Sequence, residues 1–220
     1  PALESDGGAV QTADGLSPAD VPAMQVSIAQ LVLGPDTLGT VKFASRPDAG
    51  GVHFESITAD LKGLQLQGDM YWGGKPAVHS SFKGELSGVQ LEKILQEWGY
   101  AKSISSERFT VGLDLNWPGA PQDFAMARLN GVTSLKFRKG QLAAVDGSAQ
   151  ALRVFGLLNF DAIGRRLRLD FSDLWSKGLS YDRIDGVVDI EKGIFRIREA
   201  LTLEGVSSDL SITGLLDVPA

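Results

Sequence analysis

The 220-residue chain contains no cysteine, only two histidines, and no apolar run approaching the ~18 residues of a membrane-spanning helix. Without cysteine there are no disulfides, thiolate metal sites, iron–sulfur clusters or cysteine nucleophiles. The compartment stays open, since cytosolic and periplasmic chains alike can lack it. Basic charge is also short: 21 Lys plus Arg stand against 27 Asp plus Glu, a net −6. No concentrated Lys/Arg run supplies the basic face with which a nucleic-acid binder displaces phosphate counterions. Glycine loops that cradle phosphate, G-x-G-x-x-G or G-x-x-x-x-G-K-[ST], are missing too. The chain opens on Pro1 with no signal-peptide pattern, as expected of a section of a longer protein.

What the sequence has is glycine, 26 residues, and a 43% apolar share large enough to build a core. Residues 1–20, rich in Ala, Asp, Gly, Pro and Ser, read as linker. From there the dominant period is two. Phe109, Val111, Leu113, Leu115 and Trp117 alternate with Thr110, Gly112, Asp114 and Asn116, giving one oily and one wet strand face. The pattern recurs at Leu167, Leu169 and Phe171, at Ile184, Gly186, Val188 and Ile190, and at Phe195, Ile197, Leu201 and Leu203, where Glu199 dissents. Val206, Leu210, Ile212 and Leu216 close the chain on it, and weaker versions fill residues 21–86, such as Val41/Phe43, Leu64/Leu66/Met70/Trp72 and Val78/Phe82. Glycine-bearing turns at Gly50-Gly51, Gly73-Gly74, Lys139-Gly140, Lys192-Gly193 and Glu204-Gly205 favour antiparallel neighbours.

Two helices interrupt the strands. Over residues 87–99, Ser87 and Gln90 suit a capping box; Leu91, Ile94, Leu95 and Trp98 form one apolar stripe, and Gly99 can close the end. A second, apolar over most of its circumference, is an insertion at about 147–164, with a further short helix near Ser172–Ser176. The remaining strands occupy 105–217. The expected fold is therefore mainly β: a long curved antiparallel sheet with two or three short helices.

About ten strands present roughly thirty inward apolar side chains, more than two helices can cover, and each exposed Å2 costs about 25 cal/mol. Either the sheet closes on itself as a sandwich or barrel core, or something oily that is not protein lines it. Periodicity alone leaves both open.

Several longer motifs carry a resemblance. Leu115-Asn116-Trp117-Pro118-Gly119-Ala120-Pro121, then Leu135-Lys136-Phe137, is one. Leu152-Arg153-Val154-Phe155-Gly156-Leu157-Leu158-Asn159-Phe160, followed by Arg165-Arg166-Leu167-Arg168-Leu169-Asp170-Phe171, is another. Lys177-Gly178-Leu179-Ser180-Tyr181-Asp182-Arg183-Ile184 and Leu203-Glu204-Gly205 complete it. Together they resemble the C-terminal region of AsmA-like proteins of the YhdP type, well over residues 85–217 and by strand pattern alone before that. The resemblance implies a taco-like β-groove within a periplasmic protein anchored in the Gram-negative inner membrane. Phospholipid would be the partner, conducted toward the outer membrane, and strands following Ala220 would continue the sheet.

On that reading the groove-facing, lipid-binding residues are Phe109, Val111, Leu113, Leu115, Leu135, Phe137, Leu167, Leu169, Phe171, Ile184, Val188, Ile190, Phe195, Ile197, Leu201, Leu203, Leu210 and Ile212. Leu152, Phe155 and Leu158 are candidates for a plug or gate. Arg165, Arg166 and Arg168 are candidates for headgroup contact, because arginine forks match phosphate oxygens, against the plainer reading of a solvated strand face.

Signals for catalysis are weak. His53 and His79 sit in strand-like runs without metal spacing or a nucleophile elbow. Carboxylate pairs such as Asp114 with Asp123, or Asp170 with Asp173, arise by chance among 27 acids. No catalytic residue, metal site or cofactor is assigned. The alternatives to a lipid conduit are a filled β scaffold for envelope assembly, with partners unspecified, and an envelope hydrolase, which would need a polar pocket with a perturbed carboxylate.

Overall fold

A computed structural model describes residues 17–74, 77–142, 179–205, 209–212 and 215–217. They form one antiparallel sheet. Its strands are β1 (Met24–Leu33), β2 (Asp36–Pro47), β3 (Gly51–Leu61), β4 (Leu64–Gly73), β5 (His79–Val89), β6 (Ile104–Pro118), β7 (Asn130–Leu142), β8 (Leu179–Glu191), β9 (Ile194–Glu204), β10 (Asp209–Ile212) and β11 (Leu215–Asp217). Strands β1 to β10 lie side by side in chain order, and β11 pairs with β9. No pairing among the described residues joins β1 back to the far edge, so the curved sheet is open and single-layered.

Alternation puts the oily residues on one face, and the register carries that face across the strands. Leu66 of β4 stands opposite Leu86 of β5, which faces Val111 of β6, which faces Leu135 of β7. A parallel row runs Phe54, Met70, Phe82, Leu115. The other face alternates charge, as where Asp69 lies opposite Lys83 and Lys83 opposite Asp114, with Lys83 Nζ 3.3 Å from the Asp114 carboxylate.

Bulges keep the faces aligned where the sequence breaks rhythm. Ser56, at φ 52°, is the extra residue that slips β3 against β4 between Phe54 and Ile57. In β9 two successive slips bring Glu199 opposite Val187 on the polar face, while Ile197 still meets Val188 and Leu203 still meets Ile184. The dissent of Glu199 is thus a bulge. A third irregularity spans three strands. Burial runs Ser106 in, Glu107 and Arg108 out, Phe109 in; in β8, Tyr181 in, Asp182 and Arg183 out, Ile184 half in. Between them lies Lys139 of β7 at φ 48°. Arg108, Arg138 and Arg183 are direct cross-strand neighbours there. Beyond this row Ile104, Ser106 and Tyr181 return to the oily side, and Tyr181 donates its hydroxyl to the Ser105 carbonyl at 2.6 Å.

Three local expectations change. Helix α1 covers Leu91–Glu97, with Gln90 at its N-cap in the left-handed region (φ 55°) and no side-chain cap; Ser87 instead sits inside β5, paired on both sides with Gln65 and Thr110. Two ladders outweigh one capping bond. Lys139-Gly140 is no turn but lies within β7. The segment read as linker up to residue 20 includes a 3-10 turn at Pro18–Asp20, pinned by the Ser17 amide donating to the Asp20 carboxylate at 2.8 Å, with Pro18 buried. Among the described residues α1 is the one α-helix, alongside 3-10 turns at Pro18–Asp20, Pro121–Asp123 and Met126–Arg128. The insertion at 147–164 and the helix near Ser172 lie outside the described residues.

Candidate functional site: the apolar face of the sheet

The apolar face is built from the strands upward, and its two margins are covered. At one margin α1 lies over β5 and β6. Ile94 sits above Gly63 and Gly88; a Cβ on Gly88 would come within 2.7 Å of Ile94 and 2.8 Å of the Phe109 ring. Glycine at 88 is therefore what seats the helix. Leu91, Ile94, Ile104, Phe109, Tyr181 and Leu203 are buried together there. Phe109 and Phe137 stack with ring centroids 6.1 Å apart.

At the other margin the connection between β6 and β7 folds back. Trp117 donates its indole N–H to the Ala120 carbonyl at 3.0 Å, and Phe124 packs edge-on against the Trp117 ring at 5.3 Å. The connection is latched at both ends: the Gly119 amide to the Val78 carbonyl at 2.9 Å, and the Gly193 amide to the Leu129 carbonyl at 3.1 Å. Leu115, Trp117, Leu129 and Ile190 are buried beneath it. Val52, Trp72 and Ala120 form a smaller cluster that Val21 joins.

Between the margins the face is neither covered nor polar. Ile28, Val41, Ile57, Leu66, Leu86 and Leu135 are half-buried and belong to none of the three clusters. The floor dips at Gly68 and Gly84, which pair directly, and the Phe82 ring leans across them, 2.9 and 2.7 Å from where their Cβ atoms would be. The buried hydroxyls are turned away from the open space. Ser45 donates to the Pro22 carbonyl at 2.6 Å, Ser80 to the Gly119 carbonyl at 2.9 Å, and Thr133 to the Gly112 carbonyl at 2.9 Å. The strip therefore offers hydrocarbon and satisfied backbone, and nothing that seeks a hydrogen bond.

The expected groove residues divide accordingly. Phe109, Leu115, Val188, Ile190, Leu201 and Leu203 are buried, Val188 to 2% exposure. Val111, Leu113, Leu135, Phe137, Ile184, Phe195 and Ile197 are half-buried on the same face. Leu210 and Ile212 fall in β10, opposite Leu203 and Leu201. Leu167, Leu169, Phe171, Leu152, Phe155, Leu158, Arg165, Arg166 and Arg168 lie outside the described residues. The N-terminal half of the face, shared by Phe43, Phe54, Ile57, Leu66, Met70, Phe82 and Leu86, falls in the expected groove strands of residues 21–86 but outside the expected lipid-binding residues. The signal was present in their alternation, but the Ser56 bulge and Gly68 interrupt it.

The polar face holds the groups a hydrolase would use, and they are engaged. His53 meets the Asp48 carboxylate at 2.8 Å and packs on Tyr71, which also packs on His79. The Gly50 amide, then His53 and the Gly51 amide, hold the Asp48 carboxyl below its usual range. Arg46 does the same for Glu55. A general acid needs the opposite direction. Among the described residues no His/Asp/Glu group is placed to hold a metal ion, and no helix is long and apolar enough to cross a membrane.

An open antiparallel sheet with one continuous oily face is a β-groove of the AsmA-like class. More narrowly, the family model for the YhdP protein matches residues 3–219, and the chain belongs to that family. It is 28% identical over 155 residues to the intermembrane phospholipid transporter YhdP of Escherichia coli strain K12, a match covering 70% of this chain and 12% of that protein. The chain thus spans about an eighth of the relative's length. No solved structure matches.

Proposed function

We propose that this chain is a section of an inner-membrane-anchored, bridge-like protein of the periplasm. Its apolar face shields acyl chains while phospholipids pass between the inner and outer membranes, with no catalytic step and no cofactor. The observation that carries the reading is the open face itself: one layer of strands, oily from β1 to β9, with its middle uncovered among the described residues and free of charge. A two-chain lipid leaving a bilayer loses about 0.8 kcal/mol per exposed CH2, and a continuous apolar wall lowers that cost without chemistry. The E. coli relative, a phospholipid transporter by name, supports the same direction.

The test is extraction of the purified full-length protein with organic solvent, followed by mass spectrometry. Phospholipid at near-stoichiometric amounts is expected. An extract empty of lipid would favour the filled scaffold, for which the packing beneath α1 and beneath residues 119–129 is the local precedent.

A further inference from the structure

The apolar face is not uniform, and its unevenness assigns a path. We propose that acyl chains occupy a lane running across the strands from β1 to β7, and that α1 on one side and the 119–129 connection on the other are its walls. The inference rests on the lipid-shielding reading above and narrows it to particular residues.

Three observations define the lane. The buried clusters lie at the strand ends, one under α1 and two under the 119–129 connection or the segment at Val21. The residues between them, Ile28, Val41, Ile57, Leu66, Leu86 and Leu135, stay half-buried and outside every cluster. They follow one register line: Ile28 pairs with Val41, Val41 with Ala59 and Ala59 with Leu66, which runs on through Leu86 and Val111 to Leu135, while Ile57 lies one same-face position from Ala59. On β6 the floor narrows, with half-buried Val111 packed against the α1 cluster and half-buried Leu113 against the cluster beneath the connection. Seven strands spaced ~4.8 Å apart make the lane roughly 30 Å long. On β8 the position opposite Leu135 is Gly186, and the buried Leu201 side chain of β9 fills the place where a Gly186 Cβ would stand, so the lane is drawn only to β7.

Its chemistry selects hydrocarbon. A peptide strand or a polar ligand would need hydrogen-bond partners, and every buried hydroxyl on this face already serves a backbone carbonyl. Charges stand on the opposite face, as at Asp69, Lys83 and Asp114. The lane therefore fits the alkyl chains of a lipid whose headgroup stays outside the walls. The walls are specific: Ile94 over Gly63 and Gly88 fixes α1, and the Gly119 and Gly193 amides fix the connection.

Site-specific photocross-linking in the full-length protein, in cells, tests it. A benzophenone amino acid is placed singly at Leu66, Leu86, Leu64 and Gln65. Leu64 lies two residues from Leu66 on the same face of the same strand but packs against the α1 cluster, and Gln65 points to the polar face. Phospholipid adducts are expected at Leu66 and Leu86, with loss to background at Leu64 and Gln65. Equal adducts at Leu64 and Leu66 would overturn the walls while leaving lipid shielding intact. Absence of lipid adducts at Leu64, Leu66 and Leu86 alike would sink both readings. Adducts to polypeptide at Leu66 would show the lane filled by protein and overturn it. A probe at Leu95 on α1, also expected to stay at background, keeps the comparison decisive if the Leu64 variant fails to accumulate.

Discussion

Leu113→Asp puts a carboxylate on the apolar face where Leu113 packs at the foot of the cluster beneath the 119–129 connection. Leu113 is half-buried on β6, opposite Gly84 and Thr133, so neither cross-strand neighbour offers a cation. To sit beside an acyl chain the carboxylate must take up a proton; from an ordinary pKa near 3.9 that costs about 4 kcal/mol at pH 7. Remaining ionised costs more. Because the site is half-buried, roughly half that penalty should reach the passing chain, about 2 kcal/mol, slowing transfer about 30-fold, with a ceiling near 1,000-fold for full desolvation. The sign in pH follows. The introduced group has a raised pKa, so the barrier is greatest above it and shrinks as the pH falls. The assay is transfer of labelled phospholipid between donor and acceptor vesicles by the full-length protein, with amide exchange across β5–β7 confirming the fold. Leu113→Asn should show a smaller, pH-independent slowing, and Asp114→Asn, on the polar face, none. A native transfer rate from a folded Leu113→Asp protein, with the carboxylate shown to titrate high, would refute the idea that chains pass over this residue.

Three further outcomes follow from the packing. Ile94→Ala empties the seat of α1 over Gly88 and should cost about 2–5 kcal/mol of local stability, read as lost amide-exchange protection in β5, α1 and β6. Gly131→Val should be worse tolerated than a surface change, because φ is +139° and its Cβ would meet the Asp114 carbonyl oxygen at 2.0 Å; loss of the β6–β7 pairing in exchange data is the readout. Acid should destabilise the sheet through Asp48, Glu55 and Asp189, held low chiefly by the Gly50 amide, Arg46 and Arg198 respectively. Their folded pKa values lie below the unfolded ones, so their stabilisation is complete above about pH 5 and is lost as the pH falls below about 4. Melting temperature against pH checks this, and Asp48→Asn should flatten part of the fall.

Much of the architecture was legible because alternation is a local property. Phe109 through Trp117 faced one way in the sequence and do so in β6, and the turns at Gly50-Gly51 and Lys192-Gly193 join the expected neighbours. What escaped reading depends on partners distant in the chain. The row at Arg108, Arg138 and Arg183 shifts the alternation of three strands together through Lys139, a non-glycine residue at positive φ. Ser87 looked like a helix cap because its two ladder partners, Gln65 and Thr110, are 22 and 23 residues away. Which oily residues are covered was equally invisible: Phe109 and Leu135 are alike in pattern, yet Phe109 lies beneath α1, seated over Gly88, while Leu135 belongs to no buried cluster.

The most direct measurement places a bimane fluorophore at Leu135→Cys, outside every buried cluster, or at its exposed neighbour Lys136→Cys on the opposite face, where this section offers no competing thiol. Phospholipids carrying a nitroxide on the acyl chain are then supplied to the full-length protein. Quenching at position 135 with none at 136 is the predicted result. Equal quenching at both positions, or none at 135, would contradict acyl chains lying on the apolar face.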